Sequence, residues 1–344
     1  MNVLLFHPDQ FQQRYNCDFY DVDMIPAKER KHILLGVGLF TFYLAVTFLY
    51  TLCLLSMLLS GHSSRPSYML MIYLAIFHIG GLQVSGLMTA VFAISGNVFC
   101  DYPTIIYIGG GIGLATWCSS TLTGIILTLN RCCEIYSPKV ADFFFGGPKI
   151  FIWLAMPTSY FFFFFWFTNP PVFSGILMSW FFNPHMSYFE DKANVYHNNY
   201  HTINNLSDCV LGTLVSLLFV ALYLKRTRAV RNQLSTTDKK MCLQVFLIES
   251  MQILASSLYV VQQVSKVDFY ITLIASSAYF MSQGFPPIVY LAFNRTITRV
   301  LFGKILHVQH YTPSYSHQQI TTQLKGVNCV TPPQMFPQNN YTQP

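Results

Sequence analysis

Seven long apolar stretches limit what this chain can fold into more than any other feature of its sequence. Roughly 20 mainly apolar residues are needed for a helix to cross the hydrocarbon core of a bilayer. The stretches run over Ile33–Leu59, Tyr68–Ile94, Ile105–Leu129, Ile150–Phe167, Leu206–Leu224, Met241–Val261 and Phe269–Phe293. Only 10% of the 344 residues are charged and 53% are hydrophobic, whereas soluble domains carry about 25% charge. We therefore predict an all-α bundle of seven transmembrane helices.

Lysine and arginine predict the orientation of this bundle. With the N-terminus outside, 14 of the 20 basic residues fall in segments on the cytoplasmic side, which membrane proteins enrich in positive charge. Lys28, Arg30 and Lys31 favour the reverse orientation, but the short loop Lys225–Lys240 is more strongly basic. The prediction is an outside N-terminus and a cytoplasmic C-terminus. The net charge of +6 is too small to indicate nucleic-acid binding.

The segments around the bundle define the domain organisation. Residues 1–32 contain no apolar run and several acidic residues, so we expect an extracellular segment rather than a signal peptide. Residues 33–293 form the bundle. Residues 294–305 mix basic and apolar side chains, which is typical of a short amphipathic helix on membrane lipids. Residues 306–344 are polar and are predicted to be a disordered cytoplasmic tail.

Polar residues inside the stretches predict a polar or hydrated bundle interior. In the third stretch, hydroxyl and amide side chains recur at the spacing of one helix face. They are Thr116, Ser119, Ser120, Thr123 and Asn130, and the seventh stretch repeats the pattern with Ser276, Tyr279, Gln283 and Tyr290. His78 and Glu249 are the two groups expected to titrate deep in the membrane. An acid there costs about 2.5–3.5 kcal/mol, so Glu249 is either a neutral, hydrogen-bonded packing residue or a switch or ligand contact.

Prolines predict kinks in two of the helices. Pro157 interrupts the fourth stretch, and Pro286-Pro287 interrupts the seventh near its inner end. Each proline removes a backbone hydrogen bond of the helix. Kinked inner ends can adopt two arrangements, as a signalling protein requires.

Short motifs at matching membrane depths carry a family resemblance. They are Asn130-Arg131-Cys132, Pro287-Ile288-Val289-Tyr290, Tyr15-Asn16-Cys17, Arg65-Pro66-Ser67-Tyr68, Phe99-Cys100 and Phe144-Phe145-Gly146. With seven stretches and an outside N-terminus, the chain resembles the G-protein-coupled receptors. More closely, it resembles the class T serpentine chemoreceptors of nematodes, over roughly residues 15–305.

The resemblance implies roles for individual residues. Arg131 matches the arginine of the Asp/Glu-Arg-Tyr motif, with Asn130 in place of the acid, and would hold the inactive state or meet the G protein. Pro287 and Tyr290 match the proline and tyrosine of Asn-Pro-x-x-Tyr. His78 stands where rhodopsin-like receptors carry an aspartate, so no sodium site is expected.

Cysteines and one sequon suggest modifications on the outer side. Cys17, Cys100 and Cys209 lie outside or at the outer rim and allow three pairings. We favour Cys17–Cys100, which would pin the N-terminal segment over the bundle. Asn205-Leu206-Ser207 is a glycosylation sequon on the same side, although it lies close to the membrane.

By resemblance, the chain is a plasma-membrane chemosensory receptor, in sensory cilia, that binds an external small molecule and engages a heterotrimeric G protein. A transporter or channel is a second interpretation, but the chain has no internal repeat and few intramembrane charges. Two further alternatives are a non-signalling subunit of a receptor heteromer and a receptor that forms oligomers. An enzyme, a metal or a cofactor is not expected, because the one close pair, His197 and His201, is interpreted as solvated loop. The sequence does not identify the ligand.

Overall fold

The computed structural model describes residues 1–18, 21–187, 195–229, 236–264 and 268–307. Within these residues, six helices are long and apolar enough to cross a membrane. The seventh predicted stretch is helical too, but it is divided at Phe285 into pieces of 16 and 8 residues. This break lies directly before Pro286-Pro287, as the missing backbone donors require. Residues 308–344 of the predicted tail and residues 230–235 of the basic loop Lys225–Lys240 lie outside the described residues.

The helices are labelled α1 to α8 in chain order. The first four are α1 (Ile33–Leu58), α2 (Pro66–Ser95, with a wider π-helical turn at Gln83–Met88), α3 (Pro103–Tyr136) and α4 (Ile150–Phe167). The next are α5 (Asn199–Ser207, a π-helical turn at Asp208–Gly212, and Thr213–Ala229) and α6 (Thr236–Val264). The last are α7 (Phe269–Gly284 and Pro286–Phe293) and α8 (Arg295–Val300 continued by Leu301–Ile305).

Shorter elements fill the connections. Before α1 lie the helical pieces Asn2–Phe6, Pro8–Arg14, Val22–Met24 and Ala27–Arg30, and between later helices lie Phe99–Asp101, Pro138–Phe145 and Gly147–Lys149. Between α4 and α5, strands β1 (Val172–Ser174) and β2 (Ser179–Phe181) pair antiparallel, with Val172 opposite Phe181. The sequence patterns predicted neither this hairpin nor the helix Pro138–Phe145.

The two ends of the bundle carry different parts of the chain. At the N-terminal end, the backbone N–H of His32 donates to the carbonyl of Ala93 (2.9 Å), and Val98 pairs with Ser174. This end therefore gathers residues 1–32 with the loops after α2 and α4. At the C-terminal end, Lys304 of α8 donates to the carbonyl of Leu59 after α1 (3.4 Å).

Helix α3 is the central helix of the bundle. The most apolar 18-residue part of α3 is 78% buried inside the protein, against 22% for the corresponding part of α1. Close approach of other elements requires glycine here. A Cβ atom on Gly110 would lie 1.6 Å from the carbonyl oxygen of Pro171, which precedes β1. The position of α3 places its polar face against several neighbouring helices.

Candidate functional site

A cap of N-terminal residues covers the N-terminal end of the bundle. Cys17 in this segment and Cys100 before α3 form a disulfide, with Cα atoms 5.6 Å apart. This is the pairing favoured from the sequence. The third candidate, Cys209, is a free thiol whose sulfur lies 3.4 Å from the hydroxyl oxygen of Ser257 on α6.

Aromatic rings hold the cap against the start of α3. The rings of Phe11 and Tyr15 each lie 5.1 Å from that of Tyr107, and the Tyr15 ring lies 5.6 Å from that of Phe99. Tyr15 is only 4% exposed. This burial raises the pKa of its phenol well above the ordinary value, so Tyr15 stays neutral. The contacts between the cap and α3 are therefore mainly apolar.

The β-hairpin lies across the same end and is anchored to two helices. The indole N–H of Trp180 donates to the hydroxyl of Thr89 on α2 (2.8 Å), and the hydroxyl oxygens of Ser179 and Ser276 on α7 lie 2.6 Å apart. In the loop after β2, burial lowers the pKa of His185, opposed by a backbone hydrogen bond with Asn16. This imidazole is therefore neutral at physiological pH.

Beneath the hairpin lies a cavity of about 290 Å³. Helices α1, α2, α6 and α7 and the hairpin supply its walls, which carry no charged side chain among the residues that the structure describes. They are Leu35, Gly38, Leu39, Phe42, Ser85, Thr89, Met178, Trp180, Tyr259, Leu273, Ser276, Ser277, Tyr279, Phe280 and Met281. Its size is close to the lower limit for small-molecule pockets, about 300 Å³, and such pockets combine apolar walls with a few polar groups. The cavity therefore fits a small neutral molecule.

A polar network between α3, α5 and α6 corrects one sequence prediction and bears on a second. Trp117 Nε1–H donates to Oδ1 of Asn205 (2.8 Å), and Nδ2 of Asn205 lies 3.2 Å from Nε2 of His201. Gln263 of α6 reaches the other ring nitrogen of His201 (3.2 Å). Asn205 is fully buried, a position that disfavours the predicted glycan. His201 is 8% exposed and belongs to α5 rather than to a solvated loop, whereas His197 is exposed.

Two acids, rather than Glu249 alone, lie buried at the interface of α5 and α6. Asp208 is 1% exposed and accepts a hydrogen bond from Ser256 (2.5 Å), while Glu249 is 2% exposed and accepts one from Thr128 of α3 (3.3 Å). One oxygen of each carboxyl group has no hydrogen-bond partner among the described residues. Asp208 was missed as a core residue. The signal was its helical spacing, because His201, Asn205 and Asp208 share one face of α5.

The other predicted core residues do not form one cluster. His78 Nδ1 lies 2.9 Å from the hydroxyl of Tyr50 on α1, and Gln283 of α7 accepts a hydrogen bond from Ser85 of α2 (3.0 Å). Thr123 donates to the carbonyl of Ser119 in its own helix (2.6 Å). The structure thus brings His78 and Gln283 into contacts between helices, whereas the Thr123 hydroxyl donates within α3.

Arg131 lies buried near the C-terminal end of α3. Its guanidinium forms an ion pair with Glu134 (2.8 Å) and lies 3.8 Å from the sulfur of Met71 on α2. The amide of Gln244 on α6 approaches the same sulfur (3.9 Å). Met71 therefore lies between Arg131 of α3 and a polar residue of α6. Asn130, predicted to act with Arg131, is 1% exposed, and its Oδ1 has no partner among the described residues.

Pro287 and Tyr290 lie in the second part of α7 and face α1. The thiol of Cys53 donates to the carbonyl of Pro287 (3.7 Å), and the Tyr290 ring lies 6.2 Å from that of Tyr50. Tyr50 also contacts His78. One α1 tyrosine thus joins the predicted polar core to the predicted switch residue Tyr290.

Comparison with known proteins gives a family and a fold. The family model described as "Serpentine type 7TM GPCR chemoreceptor Srt" matches residues 2–313. The chain belongs to the Srt family. A crystal structure of squid rhodopsin is similar, with a TM-score of 0.62 and 14% sequence identity over 87% of this chain and 91% of that chain. At this identity the likeness shows the fold alone. The comparison with curated proteins gives no match.

Family membership and fold together confirm several sequence predictions. This Srt-family chain is a seven-transmembrane helical protein of the G-protein-coupled-receptor type, as its motifs indicated. Its family is one of chemoreceptors. The seven-helix fold also explains the divided α7, because in this setting its two pieces together provide the last membrane crossing.

Proposed function

We propose that this Srt-family protein is a chemosensory receptor of the plasma membrane. Its N-terminal end lies outside the cell and its C-terminal end lies in the cytoplasm, as the distribution of basic residues favours. The capped cavity binds an external small molecule, and the ends of the helices near Arg131 engage a heterotrimeric G protein. Family resemblance favours sensory cilia as the site of action.

The observation that carries this proposal is the course of α7. Tyr279 and Phe280 of its first part line the cavity, and Tyr290 of its second part is fully buried near the C-terminal end. Between them the helix is interrupted at Phe285. A ligand that binds more tightly to one arrangement of this broken helix shifts the population toward it. One element thus connects the ligand cavity with the coupling end.

Contacts at Arg131 support a resting arrangement in which α6 stays close to α3. Met71 accepts from both Arg131 and Gln244, so moving α6 outward breaks at least one of these contacts. Arg131 and Gln244 are both buried, with 9% and 1% of their surface exposed. In an opened arrangement, Arg131 becomes available to a G-protein α-subunit. The weak contact of Gln244 with the Met71 sulfur favours the closed arrangement without locking it.

The proposal is tested in a reporter cell that expresses the receptor together with a panel of Gα subunits. A panel of volatile alcohols, ketones, aldehydes and esters is applied, with surface expression measured for every variant. We expect at least one compound to evoke a response that Arg131→Ala abolishes. Arg226→Ala is the matched control, because Arg226 lies at the same end but donates only to a backbone carbonyl in its described contacts. A response that Arg131→Ala leaves unchanged would contradict the coupling role.

The disulfide provides a separate test of the outer position of the cap. Disulfides form and persist in oxidising compartments, and thiols in the cytosol stay reduced. Mass mapping of unreduced peptides from membrane-expressed protein should yield the linked pair Cys17–Cys100. Recovery of both cysteines as free thiols would argue against an outside N-terminal segment.

A further inference from the structure

On one side the cavity is lined by residues of α1 and α7 that are also exposed on the outer surface of the bundle, and from this we infer an opening there. Leu35, Gly38 and Phe42 of α1 form one margin, and Leu273 and Ser277 of α7 form the other. Leu35 and Phe42 are 42% and 43% exposed on the outer surface of the bundle. A Cβ atom on Gly38 would meet nothing within 4 Å. In a membrane-spanning bundle, these margins face lipid.

Two aromatic contacts between α1 and α7 limit this opening along the membrane normal. Toward the N-terminal end, the rings of His32 and Phe269 stack with centroids 5.2 Å apart. Toward the C-terminal end, the rings of Phe42 and Phe280 lie 5.7 Å apart. The ten residue steps from His32 to Phe42 correspond to about 15 Å at 1.5 Å rise per residue. We call this opening the α1–α7 window.

The hairpin covers the cavity on the side of the N-terminal end. Met178 and Trp180 form this roof. The hydrogen bond from Trp180 to Thr89 and the Ser179–Ser276 contact hold it to α2 and α7. Residues 1–18 and the disulfide add a second layer at this end. The side facing lipid is thus less obstructed than the side facing water.

Three of the hydroxyl groups that line the cavity already donate their protons to the protein. Ser85 donates to Gly81 and Gln283, Thr89 donates to the carbonyl of Val84, and Tyr279 donates to the carbonyl of Gly113. Each hydroxyl oxygen retains acceptor capacity after its single proton is used. These groups therefore favour a ligand that donates a hydrogen bond over one that only accepts.

We propose that the ligand of this receptor is a neutral medium-chain alcohol that dissolves in the membrane and enters through the α1–α7 window. The apolar walls hold its hydrocarbon chain, and its hydroxyl donates to one of the oxygens of Ser85, Thr89 or Tyr279. Charged ligands are disfavoured because the walls carry no countercharge among the described residues. This inference rests on the proposed receptor function and specifies its ligand class and route.

Binding to the purified full-length protein in lipid nanodiscs tests the proposal without requiring a G protein. The probes are 1-octanol and 2-octanone, and the readouts are the change in tryptophan fluorescence and its rate after rapid mixing. We expect 1-octanol to bind about tenfold more tightly, the ratio that one hydrogen bond supplies. Equal affinity for the two probes, or the absence of saturable 1-octanol binding above that of empty nanodiscs, would overturn the ligand class.

Variants at the window test the route. Gly38→Trp fills the open space on the α1 side, and Ser277→Trp does so on the α7 side should the first variant fail to fold. Either should slow association of 1-octanol at least about tenfold, as expected for a barrier raised by 1.4 kcal/mol. Leu34→Trp is the control, because Leu34 is 86% exposed and does not line the cavity. Association unchanged by both window variants would show entry from the N-terminal end.

Two further outcomes separate this inference from its rivals and from the proposed function. A phospholipid chain that copurifies in the cavity and is not displaced by 1-octanol would mean a structural lipid site and would overturn the proposal. If 1-octanol binds with the expected dependence on the window but evokes no response in reporter cells, the ligand class and route stand, and only the signalling function fails.

Discussion

The contact between Tyr50 and His78 allows a sharp test of how the buried polar groups of this bundle are stabilised. The hydroxyl of Tyr50 lies 2.9 Å from Nδ1 of His78, and both residues are completely buried. The second ring nitrogen, Nε2, has no hydrogen-bond partner among the described residues. Tyr50 therefore provides the one hydrogen bond that the structure shows for this imidazole.

The expected energies follow from these partners. Tyr50→Phe leaves both nitrogens of a buried imidazole without a partner, which costs about 1–3 kcal/mol of folding free energy. His78→Leu leaves the Tyr50 hydroxyl without its imidazole partner but also removes the unpaired Nε2, so it should cost less than Tyr50→Phe. The double variant removes both polar groups and should be close in stability to the unaltered protein, so the coupling energy should be close to the sum of the two single losses.

The assay is reversible unfolding of the purified protein in a mild detergent, with all four members of the cycle at one pH. His78→Leu combined with Tyr259→Phe is the control pair, and we expect its effects to add because no contact joins these residues in the described structure. Additive effects of Tyr50→Phe and His78→Leu would refute the reasoning. So would a larger loss from His78→Leu than from Tyr50→Phe.

Three further predictions concern single positions. Met71→Leu removes the acceptor that Arg131 and Gln244 share and should raise basal nucleotide exchange about fivefold, because about 1 kcal/mol is lost in the closed arrangement. Met69→Leu is the control and should cause no rise. No rise with Met71→Leu, or an equal rise with Met69→Leu, would contradict the prediction. Gly110→Ala brings a Cβ to 1.6 Å from a carbonyl oxygen and should lower the free energy of unfolding by at least about 1–3 kcal/mol, seen as a lower melting temperature and yield. Gly38→Ala is the control and should lower neither, because its Cβ meets nothing within 4 Å. Buried Asn205 should carry no glycan, so glycosidase treatment should leave the electrophoretic mobility of the protein unchanged. A mobility shift after glycosidase treatment that is seen for the unaltered protein but not for the Asn205→Gln variant would contradict this.

The spanning helices were predictable because their signal is local. The predicted Ile150–Phe167 coincides with α4 at both ends, and the predicted start of the first span at Ile33 is the first residue of α1. The double proline also predicted the break in α7, which the structure places at Phe285. Apolar length and missing backbone donors depend on consecutive residues alone, so no knowledge of neighbouring helices is needed.

The start of α5 was wrong by seven residues for the opposite reason. It begins at Asn199 rather than Leu206, although its first turns carry asparagine, histidine and aspartate. Those side chains are buried because Trp117 of α3 and Ser256 of α6 supply their partners. Such partners come from distant parts of the chain, which a sequence pattern cannot show. The same reasoning explains why Asn205 looked like an accessible glycosylation site.

The candidate sites were predictable as residues but not as contacts. Burial of His78, Gln283 and Glu249 followed from their position in apolar stretches, whereas their individual partners required the structure. Three-residue strands such as β1 and β2 carry too little pattern to recognise, so the roof of the cavity was missed entirely. The role of Met71 was missed because methionine in a helix normally indicates apolar packing alone.

Every proposed role depends on which end of the bundle faces the outside, and tag accessibility in intact cells measures this directly. One epitope is placed before Met1 and another after Pro344 of the full chain. We predict that antibody stains the first tag on unpermeabilised cells and reaches the second only after permeabilisation. Both tags on one side would contradict seven crossings, and staining of the C-terminal tag alone would place the cap and cavity in the cytoplasm and end the receptor proposal.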